Sequence, residues 1–435
     1  MTPNETRKID EFVKKQTNAL CDLWYSCEPD RFFLPVTTPF EEKLENERKL
    51  TAMLEWLGNQ LEHPNMDQAS RKALSFETVK RLKYTGTEIF GLTEDQVNCF
   101  EELGIDQAAI EFFRQAQAFD PTISTSDLFQ ASRNVWTCNY LQALLGLPVK
   151  VTPSIFAYSM LYPVSDNYLD DPHRSRHEKA AFNQRFRAWL KGEPAVPQNW
   201  NEKDVLDLVT IIESQYPRQE YPQVYDSLLA IHSAQDKSMC IPHAPVAPNS
   251  VDVLGLTFEK GGTSVLADGF LAAGELTKAQ MEIIFNYGAF AQLMDDQEDL
   301  ERDLKDKSLT LFTEAARVGK VDETMHRVFG FAHHVLKGLE SFKDERVKPL
   351  KHMSMKGIDL LLIDAVLRME KNYSRTYLKE LETHFPFRFE YLKRVRKTVM
   401  KKKITAERLI GLMSSTQIPS YLPIDDAQYL LLVGI

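Results

Sequence analysis

The chain has 435 residues, 43% hydrophobic and 26% charged with only 18 glycines, the profile of a packed globular protein rather than a disordered or collagen-like one. Its 52 basic and 62 acidic side chains leave a net charge of −10, which argues against broad electrostatic binding to nucleic acid or to an anionic membrane surface. At ~150 residues per domain the length admits about three domains, or one large helical domain. Cys21, Cys27, Cys99, Cys138 and Cys240 are odd in number and form neither a CxxC pair nor a cluster with histidine, as expected in a reducing cytosol. The first residues lack the apolar stretch of a signal peptide, and no segment reaches the ~18 apolar residues of a membrane span, so a cytoplasmic protein with no integral membrane segment is expected. The short apolar tail from Tyr429 to Ile435 is expected to dock on the body or on a partner.

Apolar residues recur at three- and four-residue spacing nearly throughout, with no alternating strands bounded by tight turns, so the chain is predicted to be all-α. The periodicity places helices over 8–24, 40–61, 67–84, 94–118, 126–146, 153–171, 175–191, 203–214, 223–239, 249–273, 278–305, 309–317, 322–342, 346–382 and 386–401. Breaks fall at Asp120-Pro121, Gly146 to Pro148, Gly192 to Pro197 and Ile241 to Pro248, none long enough for a linker. No repeat of solenoid period occurs, which favours one closed bundle. The expected division is an N-terminal helical layer over 1–92, a helical body over 93–401 and a tail over 402–435. The basic cluster from Arg394 to Lys403 reads as a solvated helix face.

Two carboxylate clusters carry the chemistry. The first, Asp166-Asn167-Tyr168-Leu169-Asp170-Asp171, closes a helix that opens with a Thr152 cap and Pro153 at its first position. Asp166 and Asp170 lie one turn apart, about 6 Å along the axis, and both can reach one divalent ion. Acids at a helix C-terminus oppose the macrodipole, so the placement is unfavourable without a cation. The preceding run from Ile155 to Val164 is apolar on most faces, and Pro163 is expected to kink it.

The second cluster lies on a long helix announced by a Thr277/Gln280 capping box. Asp295, Asp299 and Asp303 recur every four residues, each step turning about 40° past a full turn, so the three share one stripe. Upstream the stripe continues through Ala291 and Tyr287, beside Gly288. A solvated acidic face balanced by Arg302, Lys305 and Lys307 is the alternative for this segment alone. Hard divalent cations take carboxylates on part of their coordination sphere and water or phosphate on the rest, so acids can bind an anion through a metal.

These two clusters resemble the aspartate-rich motifs of the class I isoprenoid synthase superfamily, which includes terpene synthases, prenyl diphosphate synthases and squalene and phytoene synthases. Asp166 to Asp171 is similar to the first motif, although Asn167 replaces the second acid of its usual adjacent pair. Asp295 to Asp303 resembles the second motif and the terpene-synthase pattern at positions one, five and nine, with Asp303 one methylene shorter than the usual Glu. The segment Lys260-Gly261-Gly262-Thr263 resembles the Lys-Thr helix of prenyl synthases with two glycines inserted, and such a pair is expected to kink or unwind the helix; close helix packing at the glycines is the alternative. Asn372 to Tyr377 resembles the late Arg-Tyr pair of terpene synthases, and Arg133 is a further candidate contact.

The resemblance covers roughly residues 125 to 380. It implies a single large all-α bundle binding Mg²⁺, or Mn²⁺, through Asp166, Asp170, Asp295, Asp299 and Asp303, with Asp171 and Asp296 beside them. Lys260, Arg302 and Arg375 are then the diphosphate contacts, and Phe156, Tyr162 and Tyr287 line the cavity. The activity implied is ionisation of a prenyl diphosphate with loss of pyrophosphate. A cyclising terpene synthase stands first, and a head-to-head or chain-elongating prenyltransferase second; a catalytically silent helical scaffold is the third reading. A zinc hydrolase is disfavoured, because His173, His177, His333 and His334 do not fall beside the acids. The expected partners are a small prenyl diphosphate and a second copy of the chain as a homodimer, with no nucleic acid.

Overall fold

The computed structural model describes residues 3–27, 37–61, 67–171, 173–239 and 252–401. Cys240, the Ile241–Pro248 break and the 402–435 tail lie outside the described residues, as does the side chain of Asp170. The described residues are helical with no strand. In chain order the helices are α1 (Pro3–Ser26), α2 (Phe40–Leu61), α3 (Gln68–Phe90), α4 (Glu94–Glu102), α5 (Ile105–Phe119) and α6 (Thr125–Leu144). Next come α7 (Pro153–Asp170), α8 (Arg176–Lys191), α9 (Trp200–Gln215), α10 (Pro222–Met239), α11 (Val253–Ala273) and α12 (Lys278–Glu298). The last are α13 (Leu300–Asp306), α14 (Leu311–Val318), α15 (Val321–Lys337), α16 (Lys348–Arg368), α17 (Arg375–Thr383) and α18 (Phe389–Lys401). No described helix is long and apolar enough to cross a membrane.

Three predicted helices are each two. The 94–118 run breaks at Gly104, whose φ of 78° is a left-handed conformation that glycine adopts without penalty. The 346–382 run breaks after Arg368, where a 3₁₀ turn precedes α17 and the Ser374 hydroxyl caps the Tyr377 amide at 3.2 Å. The 278–305 run is interrupted at Asp299 alone.

The helices form two compact units, each drawn from separated stretches of chain. Among the described residues, those of 3–27 and 103–347 make the first, and those of 37–102 and 348–401 make the second. The N-terminal 92 residues are thus shared between them. In the first unit α11 is the interior helix: it packs against α12, α10, α6 and α1, and nearly all its residues are buried. Its sequence, mostly apolar and small apart from the stripe of Lys260, Ser264 and Asp268, suits that position. α7 packs against α9 and α6. In the second unit α2 is held to the C-terminal helices by Glu47, which accepts from the Arg388 backbone amide at 3.1 Å and pairs with its guanidinium at 2.5 Å. Arg396, from the basic cluster, turns inward to the buried Asp364 instead of facing solvent.

Gly261 and Gly262 do not unwind α11, which runs unbroken from Val253 to Ala273. Their role is close approach. A Cβ on Gly261 would lie 2.3 Å from the Gly288 carbonyl oxygen, and one on Gly288 would lie 2.2 Å from that of Gly261. A Cβ on Gly262 would meet the Phe285 ring at 2.4 Å. The pair lets the backbones of α11 and α12 nearly touch, which positions the carboxylates at the end of α12. α7 likewise continues through Pro163 to Asp170.

Candidate functional site: two aspartate segments held by one helix

α6 opens with a Ser124 cap that accepts from the Asp127 amide at 3.0 Å. From its first turns three side chains reach other helices. Gln130 Nε2 donates to Asp166 Oδ2 on α7 at 3.2 Å, and Arg133 Nη2 donates to Asp295 Oδ1 on α12 at 3.2 Å. Asp127 accepts from the Asn167 amide at 3.1 Å. Gln130 and Arg133 are about one turn apart, so the two aspartate segments, separated by more than a hundred residues of sequence, are each bonded to the same short stretch of α6.

The register of the second segment survives the interruption at Asp299. The Asp299 amide donates to the Asp295 carbonyl at 2.9 Å, and the Asp303 amide to the Asp299 carbonyl at 2.8 Å, so the four-residue stripe passes through the break. Burial pushes Asp299 above the ordinary carboxylate range and repulsion from Asp295 adds to it, against the pull of Arg302 and Lys260. Burial and repulsion from Asp299 do the same to Asp303, which Arg302 and Lys260 also counter.

The predicted residues separate into groups. Arg302 pairs with Asp299 on the exposed side of the stripe. Lys260, half-buried on α11, favours the charged forms of Asp296, Asp299 and Asp303, as a cation facing those carboxylates does. Asp296 turns inward: it accepts from the Thr257 hydroxyl at 3.1 Å and the Gln292 amide at 2.9 Å. Asp171 terminates α7, where it accepts from the His173 amide at 2.9 Å and faces Arg174 at 3.6 Å. Asp170 ends α7, with its side chain outside the described residues. Arg375 is exposed at the start of α17 in the second unit.

Of the aromatics, Tyr162 lies on the α7 face that carries Asp166, and its hydroxyl shares a 2.8 Å hydrogen bond with Ser264 of α11. Tyr287 stacks on Tyr140 of α6 with ring centroids 5.9 Å apart. Phe156 packs against Phe112 and Phe119 of α5. Gln130 gave no sequence signal, because a single amide at a helix start is common.

The far side of the first motif is braced. Tyr168 packs on Phe182 at 4.4 Å between centroids, with the Arg174 guanidinium 3.8 Å over its ring. Its hydroxyl faces Glu202 at 3.5 Å, and Arg185 grips that carboxylate through bonds of 2.7 and 2.6 Å.

Among the described residues, no three His, Cys, Asp or Glu side chains converge as a closed metal site requires. The side chains of the two aspartate segments offer carboxylate oxygens, which are hard donors. That chemistry fits a hard divalent cation completing its shell with water or phosphate, and it does not fit zinc. Compared with known proteins, the chain matches no family model, no curated protein and no solved structure.

Proposed function

We propose that the first unit binds a prenyl diphosphate at the two aspartate segments and ionises it with loss of pyrophosphate, as a terpene synthase does. The observation that supports this reading is the pair of bonds from Gln130 to Asp166 and from Arg133 to Asp295, which ties acids from distant parts of the chain to neighbouring turns of α6. Mg²⁺, or Mn²⁺, held by Asp166, Asp170, Asp295, Asp299 and Asp303 would supply the positive charge that lets these acids accept a diphosphate. Lys260, Arg133 and Arg302 are the chain's own cations beside the acids. Their part is to stabilise negative charge as it collects on the leaving group, and charge stabilisation of this kind is the largest contribution a site makes to such a step. Arg302 and Arg133 are already paired with Asp299 and Asp295, so a bound anion would draw them away from those partners. Tyr162, Tyr287 and Tyr140 offer ring faces that favour a neighbouring carbocation.

A length series of prenyl diphosphates incubated with the protein and Mg²⁺ tests the reading. Pyrophosphate release is expected, and product mass then separates the alternatives: the carbon number of the substrate means cyclisation, and a doubled number means coupling. No release at any length would leave a silent helical scaffold as the better account.

A further inference from the structure

The same helix faces carry further polar side chains, which are buried at the Asp268 end. Lys260, Ser264 and Asp268 recur every four residues on α11, and Tyr158, Tyr162 and Asp166 do so on α7. Each stripe covers about 12 Å of rise. The bond between Tyr162 and Ser264 joins the middles of the two stripes. Asp268 lies one turn beyond Ser264, toward the Tyr158 end of the α7 stripe, and the two tyrosine rings meet edge to face at 5.6 Å. From α6, the Cys138 thiol donates to Asp268 Oδ1 at 3.4 Å, and the Asn134 amide donates to the Ser159 hydroxyl at 3.1 Å. Asp268 is 2% exposed, Cys138 and Ser159 0%, Tyr158 6% and Asn134 9%.

An interior carboxyl is costly, and a site for a hydrocarbon chain has no need of one at its apolar end. Among the described residues no cation is bonded to Asp268; its partners are a thiol, a weak donor, and the Asn134 amide. Burial pushes the carboxyl well above the ordinary carboxylate range, which favours its protonated form. A neutral carboxylic acid in a dry site is a proton donor.

We propose that Asp268 is a catalytic acid at the interior end of the site, exchanging a proton with an alkene carbon of the bound isoprenoid. The proposal rests on the diphosphate reading above. The Asp268 O–H bond breaks as a C–H bond forms at one alkene carbon, which leaves a cation on the adjacent carbon and a carboxylate on Asp268. That carboxylate then takes a proton from a carbon next to the cation, which restores both the acid and a double bond. The sum is an isomerisation or ring closure that needs no oxidant and no further reactant.

The test is single turnover in D₂O, after the protein has equilibrated in that solvent, with the prenyl diphosphate that releases pyrophosphate as substrate. Wild-type protein is expected to give a hydrocarbon carrying one solvent deuterium on carbon. Asp268→Asn, which keeps size and polarity but has no acidic proton, is expected to give a product that carries no deuterium. A wild-type product free of deuterium overturns the proposal, as does deuterium retained in the Asp268→Asn product. The wild-type measurement needs no variant, so failure of Asp268→Asn to fold does not protect the idea. Wild-type protein that releases no pyrophosphate overturns the diphosphate reading itself, and the acid with it; release without deuterium overturns the acid alone.

Discussion

Asp296 accepts hydrogen bonds from Thr257 and Gln292, yet burial pushes it up to about 6. A carboxyl with a higher pKa folded than unfolded binds its proton more tightly in the native state. Its effect on stability is therefore most favourable below about pH 4 and is lost as pH rises toward 6. Asp296→Asn removes this loss. Without divalent cation, the variant is expected to be more stable than wild type at pH 7 by on the order of 2 kcal/mol, and to match it near pH 4, in denaturant melts at both values. Glu202 is the opposite case. Burial disfavours its charge, but hydrogen bonds from Arg185 and from the Gln198 amide hold it below the ordinary range. Arg185→Ala leaves a buried carboxylate without its cation and is expected to cost about 3–5 kcal/mol, whereas Glu202→Gln should cost clearly less; equal losses would show that the charge pair is not what matters. The acidic stripe at 295, 299 and 303 was legible because it is local. Gln130 was not, since its partner Asp166 lies 36 residues away, and Asp268 was hidden as a single acid within an apolar run.

At the scale of helices, periodicity located most elements within a few residues, including α2 at both ends. It failed where the apolar pattern runs on through a change of backbone, as at Gly104 and Asp299. The two glycines of α11 illustrate a different limit. A pair inside a helix reads equally as a hinge or as a contact, and only Gly288 on α12 decides between them. Gly288→Ala sets a methyl group about where the Gly261 carbonyl stands, so the helices must part. Overpacking of that kind is expected to lower unfolding stability by about 1–3 kcal/mol and is checked by thermal melting. An unchanged midpoint would mean that the α11–α12 contact is looser than these distances require.

For the whole molecule, the all-helical architecture followed from the sequence, whereas the discontinuous units did not, because pairing of distant segments leaves no local trace. The net charge of −10 carries no trace of the two aspartate segments, which hold only a handful of the 62 acidic side chains. The central claim is that these acids, drawn from α7 and from the α12–α13 junction, act together on one diphosphate. Calorimetric titration with inorganic pyrophosphate, with and without Mg²⁺, tests it most directly. Binding is expected only with Mg²⁺, and both Asp166→Ala and Asp295→Ala are expected to weaken it by about 10²-fold or more. Binding of the same strength in either variant, or none in the wild-type protein, would contradict the account.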